Sequence, residues 1–113
     1  MADRREILIV IKALDWDDPN DPRGNVKHIA RHDVTPQEVE EVLQSAPVFH
    51  RVEAEGQNAY FEVIGPTAAG RLLEIWGIYY QSGPKGTMWR TSTALDARKD
   101  AQKLWNKERG GRR

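Results

Sequence analysis

The sequence contains no cysteine, which excludes disulfide bonds, thiolate zinc sites and thiol nucleophiles. No apolar run approaches the roughly 18 residues that a membrane helix needs, and the start, Met1–Arg5, is too short and polar for a secretory signal. A glycine-rich phosphate loop, a nucleotide-binding fingerprint and a serine nucleophile motif are also absent. These absences exclude several large enzyme classes, and we expect a cytoplasmic protein without a membrane segment.

What the chain does contain fits one small domain. Its 113 residues are enough for a single modest hydrophobic core. We predict one α+β domain over residues 1–107, followed by a flexible basic tail over residues 108–113, because that stretch has no apolar face.

The formal net charge of zero hides an uneven distribution. Residues 1–84 hold eight Lys/Arg and fourteen Asp/Glu, whereas residues 85–113 hold nine and three. The basic C-terminal third favours an anionic partner for one surface, either a nucleic acid or an acidic protein. The alternative is that the two parts fold against each other and neutralise their charges.

The hydrophobic pattern predicts the element order β-α-α-β-β-β-β-α. The β-branched run Glu6–Ala13 predicts a first strand, and a short helix with His28 and His32 on one side follows a turn-rich connection. The next helix should begin with a capping box formed by Thr35 and Glu38, and should end near Ser45.

From residue 48 the apolar residues alternate, with short turns between four segments, which predicts an antiparallel meander. The last helix should begin near Thr93, because Thr93 and Asp96 have capping-box spacing. We therefore predict an α+β fold with an antiparallel sheet of four to five strands and helices packed on it.

The two helix histidines are candidates for acid–base chemistry. Imidazole carries protons near neutral pH, so His28 or His32 would serve as a proton carrier or a phosphate contact. His28, His32 and His50 together would supply three zinc ligands, but no nearby carboxylate completes a known zinc-site spacing with them. We therefore predict no metal site. The alternative is that both are solvated helix residues, or that one caps Asp33.

Basic side chains recur along the predicted sheet and the last helix. Arg51, Arg71 and Arg90 fall on strands or strand starts, where their guanidinium groups would form a fixed surface for phosphate. The alternative is pairing with glutamates of neighbouring strands, namely Glu53, Glu62 and Glu74.

The final helix carries lysines at every fourth position, Lys99, Lys103 and Lys107. Such a stripe would follow a phosphate backbone, or it would be an ordinary solvated helix face balanced by Asp96 and Asp100. On the preceding sheet, Trp76 and Tyr80 share one strand face and Tyr79 lies on the other, so at least one aromatic ring is expected to be exposed for stacking on a base.

Four segments together resemble the BrnT toxin family, in the order in which that family has them, and they cover most of the chain. The segments are ALDWDD (13–18), HIARHDVTPQEVEEVL (28–43), AYFEVIGPTAAGRLLEI (59–75) and WRTSTALDARKDAQKLW (89–105). The best matches are Arg31–Thr35 and Gly70–Leu73.

The resemblance implies a RelE-like fold, growth inhibition, cleavage of RNA without a metal or cofactor, and neutralisation by a cognate antitoxin protein. In such an endoribonuclease His32 would transfer the proton, and Arg71 and Arg90 would stabilise the phosphate. The accessory RNA-binding residues would be His28, Arg51, Lys99 and Lys103.

Two departures from the family pattern motivate an alternative function. Leu95 stands where the family's last strand has a second arginine, and Ala59 stands where an arginine commonly precedes the strand tyrosine. The alternative is a catalytically weak or inactive toxin-like module that keeps the antitoxin-binding fold. A third hypothesis, a structural protein that self-associates, has no specific motif in its favour.

Overall fold

The computed structural model describes residue 11 and residues 13–52 and 59–110. The five strands are β1 (Ala13–Leu14), β2 (Val48–Val52), β3 (Ala59–Pro66), β4 (Leu72–Gln81) and β5 (Thr87–Asp96). The helices are α1 (Asn25–Ala30), α2 (Pro36–Leu43) and α3 (Lys99–Trp105), and α3 continues as a π-helical turn, Asn106–Gly110. No helix within the described ranges has the length and apolar character needed to cross a membrane.

The strands form one sheet in the order β1-β5-β4-β3-β2. Strands β2 to β5 are an antiparallel meander, whereas β1 pairs with β5 in parallel. The predicted α+β class, with helices packed on a sheet, is confirmed. The parallel pair arises because the chain reaches β5 from β1 only after two helices and three strands, so no hairpin imposes an antiparallel arrangement. Residues 6–10 and 12 of the predicted first strand lie outside the described residues.

Helices α1 and α2 cover one face of the sheet and form the main core with it. The buried side chains of this core are Ile29, Val34, Val39, Val42, Phe61, Val63, Leu73, Ile75, Trp89 and Ala94. Trp89 is fully buried, and its indole N–H donates to the Thr91 hydroxyl at 2.8 Å. We call this the helix-covered face.

Helix α3 packs on the opposite face but covers only one end of it. Ala97 and Ala101 bury against Val48 and Ile64, with Leu104 and Trp105 at the margin. No helix of the described residues lies over the rest, which we call the open face. The side chains that project on this side include His50, Tyr60, Glu62, Trp76, Ile78, Tyr80, Met88 and Arg90, and all of these except Glu62 are at least partly exposed.

One predicted helix start is confirmed and the other is wrong. The Thr35 hydroxyl accepts from the Glu38 amide at 3.1 Å, and the Glu38 carboxylate accepts from the Thr35 amide at 3.1 Å, which completes the capping box. Thr93, by contrast, lies inside β5, and α3 begins only at Lys99. The segment stays extended because Ala94 is buried in the core and its neighbours pair with β4, which outweighs the capping-box spacing.

The end of α2 and the conformation after residue 107 also differ from the sequence prediction. Helix α2 ends at Leu43, and the turn after it reaches a left-handed conformation at Ala46, with φ 60°. Helical conformation at the C-terminal end runs to Gly110, beyond the predicted boundary at residue 107. There the Arg109 guanidinium donates to the carbonyl oxygens of Ala46 and Pro47, at 3.1 and 3.2 Å, and attaches this turn to the start of β2.

A buried carboxylate sets where α3 begins. Glu74 on β4 is 2% exposed, and it accepts hydrogen bonds from the Arg98 amide at 2.7 Å and from the Arg98 guanidinium at 2.6 Å. The Trp76 indole also donates to it, at 2.9 Å. Burial by itself would raise the pKa of Glu74, but these donors outweigh it and hold the pKa below its usual value.

We expect Glu74→Gln to lower the free energy of unfolding at pH 7 by about 2 kcal/mol, because Gln loses the charge-assisted bonds in a buried site. The lowered pKa means that the carboxylate's contribution is present above the unfolded pKa of about 4.3 and is lost as the pH falls through the folded value. Denaturant unfolding should therefore show a steeper acid loss for the wild type than for the variant. Glu40→Gln, at an exposed site, is the matched control, and equal acid sensitivity of wild type and Glu74→Gln would contradict the assignment.

Candidate functional site on the open sheet face

Arg71 lies on the side of the helix-covered face, where it holds the junction between α1 and α2. Its Nε donates to Asp96 at 2.7 Å and its NH1 donates to the Asp33 carbonyl at 2.7 Å. The NH2 group donates to the His32 carbonyl at 3.3 Å, and NH1 also contacts the Glu38 carboxylate at 3.2 Å. The hydrogen bond to Asp96 is the main cause that raises the pKa of Arg71. Arg71 thus contacts His32 through the backbone, and its nitrogens are all engaged.

The second arginine with a predicted catalytic role, Arg90, projects from the open face. Its NH2 donates to Asp17 at 2.8 Å, and its NH1 lies 3.4 Å from Asp15. The hydrogen bond between Arg90 and Asp17 is the main cause that raises the pKa of Arg90 and lowers the pKa of Asp17. Tyr80 donates its hydroxyl to Asp15 at 2.7 Å. This cluster ties the segment after β1 to the sheet.

The three residues predicted to be catalytic therefore do not form one site. His32 and Arg71 lie beside the helices, whereas Arg90 lies on the opposite face of the sheet. Asp96, which Arg71 contacts, is also about 20 Å along β5 from Arg90, since the two are six positions apart at about 3.3 Å per residue. The structure thus brings His32 and Arg71 together through the His32 backbone and leaves Arg90 apart from both.

His28 and His32 do project from the same side, as predicted. Their ring centroids are 5.7 Å apart, and the His28 Nε2 atom lies 3.1 Å from the Thr93 hydroxyl. Across residues 11, 13–52 and 59–110, no group of three or more His, Cys, Asp or Glu side chains could hold a metal ion. The Arg71 guanidinium, which contacts the His32 backbone carbonyl, already donates from all three of its nitrogens.

The remaining predicted RNA contacts are exposed. Arg51 lies on the edge strand β2, and Lys99 and Lys103 lie on α3. None of the three forms an ion pair with the described part of the chain. They are available as cations but do not themselves define a catalytic centre.

The open face contains a histidine–carboxylate pair that the sequence pattern did not single out. The register of β2 and β3 places His50 opposite Glu62, and the Nδ1 atom of His50 lies 3.4 Å from a carboxylate oxygen of Glu62. The Glu62 side chain is 11% exposed and that of His50 is 54% exposed. A buried carboxylate therefore orients an imidazole that faces solvent, which is the arrangement that acid–base catalysis uses.

A guanidinium group lies on the same sheet face as this pair, because Arg98 binds Glu74, which is two residues before Trp76 on β4. The Arg98 side chain is 66% exposed and binds Glu74 through Nε and NH2, whereas its NH1 makes no hydrogen bond to the described residues. The hydrogen bond to Glu74 is the main cause that raises the pKa of Arg98, and the charge of Glu62 adds to it. Glu62 thus has an imidazole and a guanidinium in its surroundings.

Two aromatic rings complete the group. Trp76 is the register partner of Glu62 on β4, and the Tyr60 ring centroid lies 5.9 Å from that of Trp76, with 36° between the planes. Together these side chains offer a proton acceptor, a cation for a developing negative charge and a planar apolar surface. We call His50, Tyr60, Glu62, Trp76 and Arg98 the open-face cluster.

No protein-family model, curated protein or solved structure was found to match this chain. The resemblance to the BrnT family therefore stays a prediction that rests on its four motifs.

Arg71→Ala should lower the free energy of unfolding by about 2 kcal/mol, because two backbone carbonyls and two carboxylates lose their donor. Thermal unfolding followed by circular dichroism measures this, and the midpoint should fall by several degrees. Arg51→Ala removes an exposed arginine that forms no ion pair within the described part of the chain, and it should leave the midpoint unchanged. An Arg71→Ala protein as stable as the wild type would show that these contacts of Arg71 do not stabilise the α1–α2 junction.

Proposed function

We propose that the chain is the toxin component of a type II toxin–antitoxin system and that it cleaves RNA in the cytoplasm, with the open-face cluster as its active centre. The observation that carries this proposal is the exposed His50 imidazole, held by the buried Glu62 on the same sheet face as the exposed Arg98. The motif resemblance supplies the reaction, and the geometry supplies the residues that suit it.

The chemistry needs only groups of the chain and the RNA. His50 accepts the proton of a ribose 2′-hydroxyl, the 2′-oxygen attacks the adjacent phosphorus, and the bond from phosphorus to the 5′-oxygen of the next nucleotide breaks. The imidazolium of His50 then gives its proton to the 5′-oxygen, which leaves a 2′,3′-cyclic phosphate, a 5′-hydroxyl end and a neutral His50. The NH1 group of Arg98 donates to a non-bridging oxygen as negative charge builds up, and Glu62 holds the imidazole in position.

This proposal changes the roles that the resemblance implied. His28, His32 and Arg71 lie on the helix side, where they stabilise or border the α1–α2 junction. Arg90 borders the open face but is held by Asp17. Lys99 and Lys103 remain accessory cations for the RNA backbone, with an effect that depends on salt.

His50→Gln should reduce cleavage of a structured transcript in EDTA by about 100-fold or more, because general base catalysis contributes at least that factor. The measurement is gel analysis of the cuts over time with purified protein. His32→Gln is the matched control and should cleave like the wild type. Loss of cleavage in His32→Gln but not in His50→Gln would contradict the assignment of the centre, and intact RNA at high wild-type concentration would contradict the nuclease function.

A second candidate function has one observation in its favour. Both arginines that the resemblance assigns to phosphate, Arg71 and Arg90, are bound by carboxylates of the chain itself. This favours a toxin-like module that binds an antitoxin without effective catalysis.

The two candidates differ in a co-expression experiment. A catalytic toxin should stop growth when expressed alone and should be neutralised by the product of a neighbouring small gene. A binding module should co-purify with that product and leave growth unchanged without it. Growth arrest that His50→Gln abolishes would exclude the binding-module function.

A further inference from the structure

We infer that the open face binds an unpaired base of single-stranded RNA against the rings of Tyr60 and Trp76. This inference rests on the proposed function and names its substrate class. Packing of the hydrophobic core does not account for the position of these rings, because both are only half-buried and neither belongs to either core cluster.

The two rings form one surface that is fixed before a ligand arrives. Tyr60 and Trp76 lie on adjacent strands, and their centroids are 5.9 Å apart. The indole N–H of Trp76 donates to Glu74, and Arg98 holds Glu74 through three of its nitrogens. Because these bonds already hold the Trp76 ring, a ligand that stacks on it gains contact area without a large cost in side-chain entropy.

The surface lies beside the proposed centre. Glu62 is paired with His50 on one side and with Trp76 on the other, and neighbouring strands are about 4.8 Å apart. A base against the aromatic rings would therefore place its own ribose near His50. The same nucleotide would then present its phosphate to the Arg98 side.

The surroundings favour single-stranded RNA over a protein segment. Arg98, Lys99 and Lys103 are exposed, lie at the start of or within α3, which packs on this same face of the sheet, and suit phosphate groups. An acidic peptide would satisfy these charges, but it would leave an oriented imidazole without a role. A duplex keeps its bases stacked and hides their faces, so only an unpaired base can lie on Tyr60 and Trp76.

The test measures binding without cleavage. Fluorescence anisotropy measures how tightly the full-length protein binds a labelled 2′-O-methyl oligouridine, in which the attacking hydroxyl is blocked. An abasic chain of equal length and charge, and the same oligonucleotide in a duplex, are the comparison ligands. We expect the wild type to bind the single strand at least about 10-fold more tightly than either, since stacking one base is worth that much.

Two variants separate the aromatic contribution from the phosphate contribution. Tyr60→Ala should weaken binding of the single strand by roughly 5- to 100-fold and should not change binding of the abasic chain, whereas Tyr60→Phe should bind like the wild type. Lys99→Ala should weaken both ligands equally, because it removes a phosphate contact.

Each outcome decides the inference independently of the cleavage assay. Equal wild-type affinity for the abasic and base-bearing strands would overturn it, even if His50-dependent cleavage is present. Base-dependent binding lost in Tyr60→Ala would support it, even if no cleavage is found and the proposed nuclease function fails. If no oligonucleotide binds but the neighbouring-gene protein binds in a Tyr60-dependent manner, the face is a protein interface and the inference is overturned.

Discussion

The ion pair between buried Glu74 and Arg98 is the constraint on which the two-sided arrangement of this domain depends. The carboxylate lies on an inner strand, where an unpaired charge would cost several kcal/mol, and it is stabilised by donors from Arg98 and Trp76. Because the Arg98 amide is one of these donors, the chain must leave β5 and start α3 at this point. The helix therefore covers one end of the sheet and leaves the other end as the open face.

Charged residues of the chain thus serve two different purposes. Arg71 and Arg90 each bind two carboxylates, and they attach the α1–α2 junction and the segment after β1 to the sheet. His50 and Arg98, in contrast, are each fixed by one buried glutamate and keep a large exposed fraction. A side chain that is oriented but still accessible is suited to act on a ligand, whereas a saturated one is suited to hold the fold together.

Local patterns predicted the fold better than they predicted the site. The capping box at Thr35 and the alternation after residue 48 depend on neighbours in sequence, and both the α2 start and the β2–β5 meander are confirmed. The α3 start was wrong at Thr93 because burial of Ala94 and pairing with β4 are non-local. His50 and Glu62 are twelve residues apart, and only the strand register makes them partners. The one available signal was that the alternation places both residues on the same face of the predicted sheet. To pair them also requires the strand register, which the sequence does not define.

Nuclear magnetic resonance of the isotope-labelled protein tests most directly whether the open face is the functional surface. On addition of uncleavable single-stranded RNA, we expect the signal of Trp76 to shift most among the four tryptophan indole signals. The His50 ring signals should shift with it, and the signal of the buried Trp89 indole should stay in place. Shifts confined to the His28 and His32 rings, with Trp76 and His50 unchanged, would contradict it and would place RNA binding beside the helices.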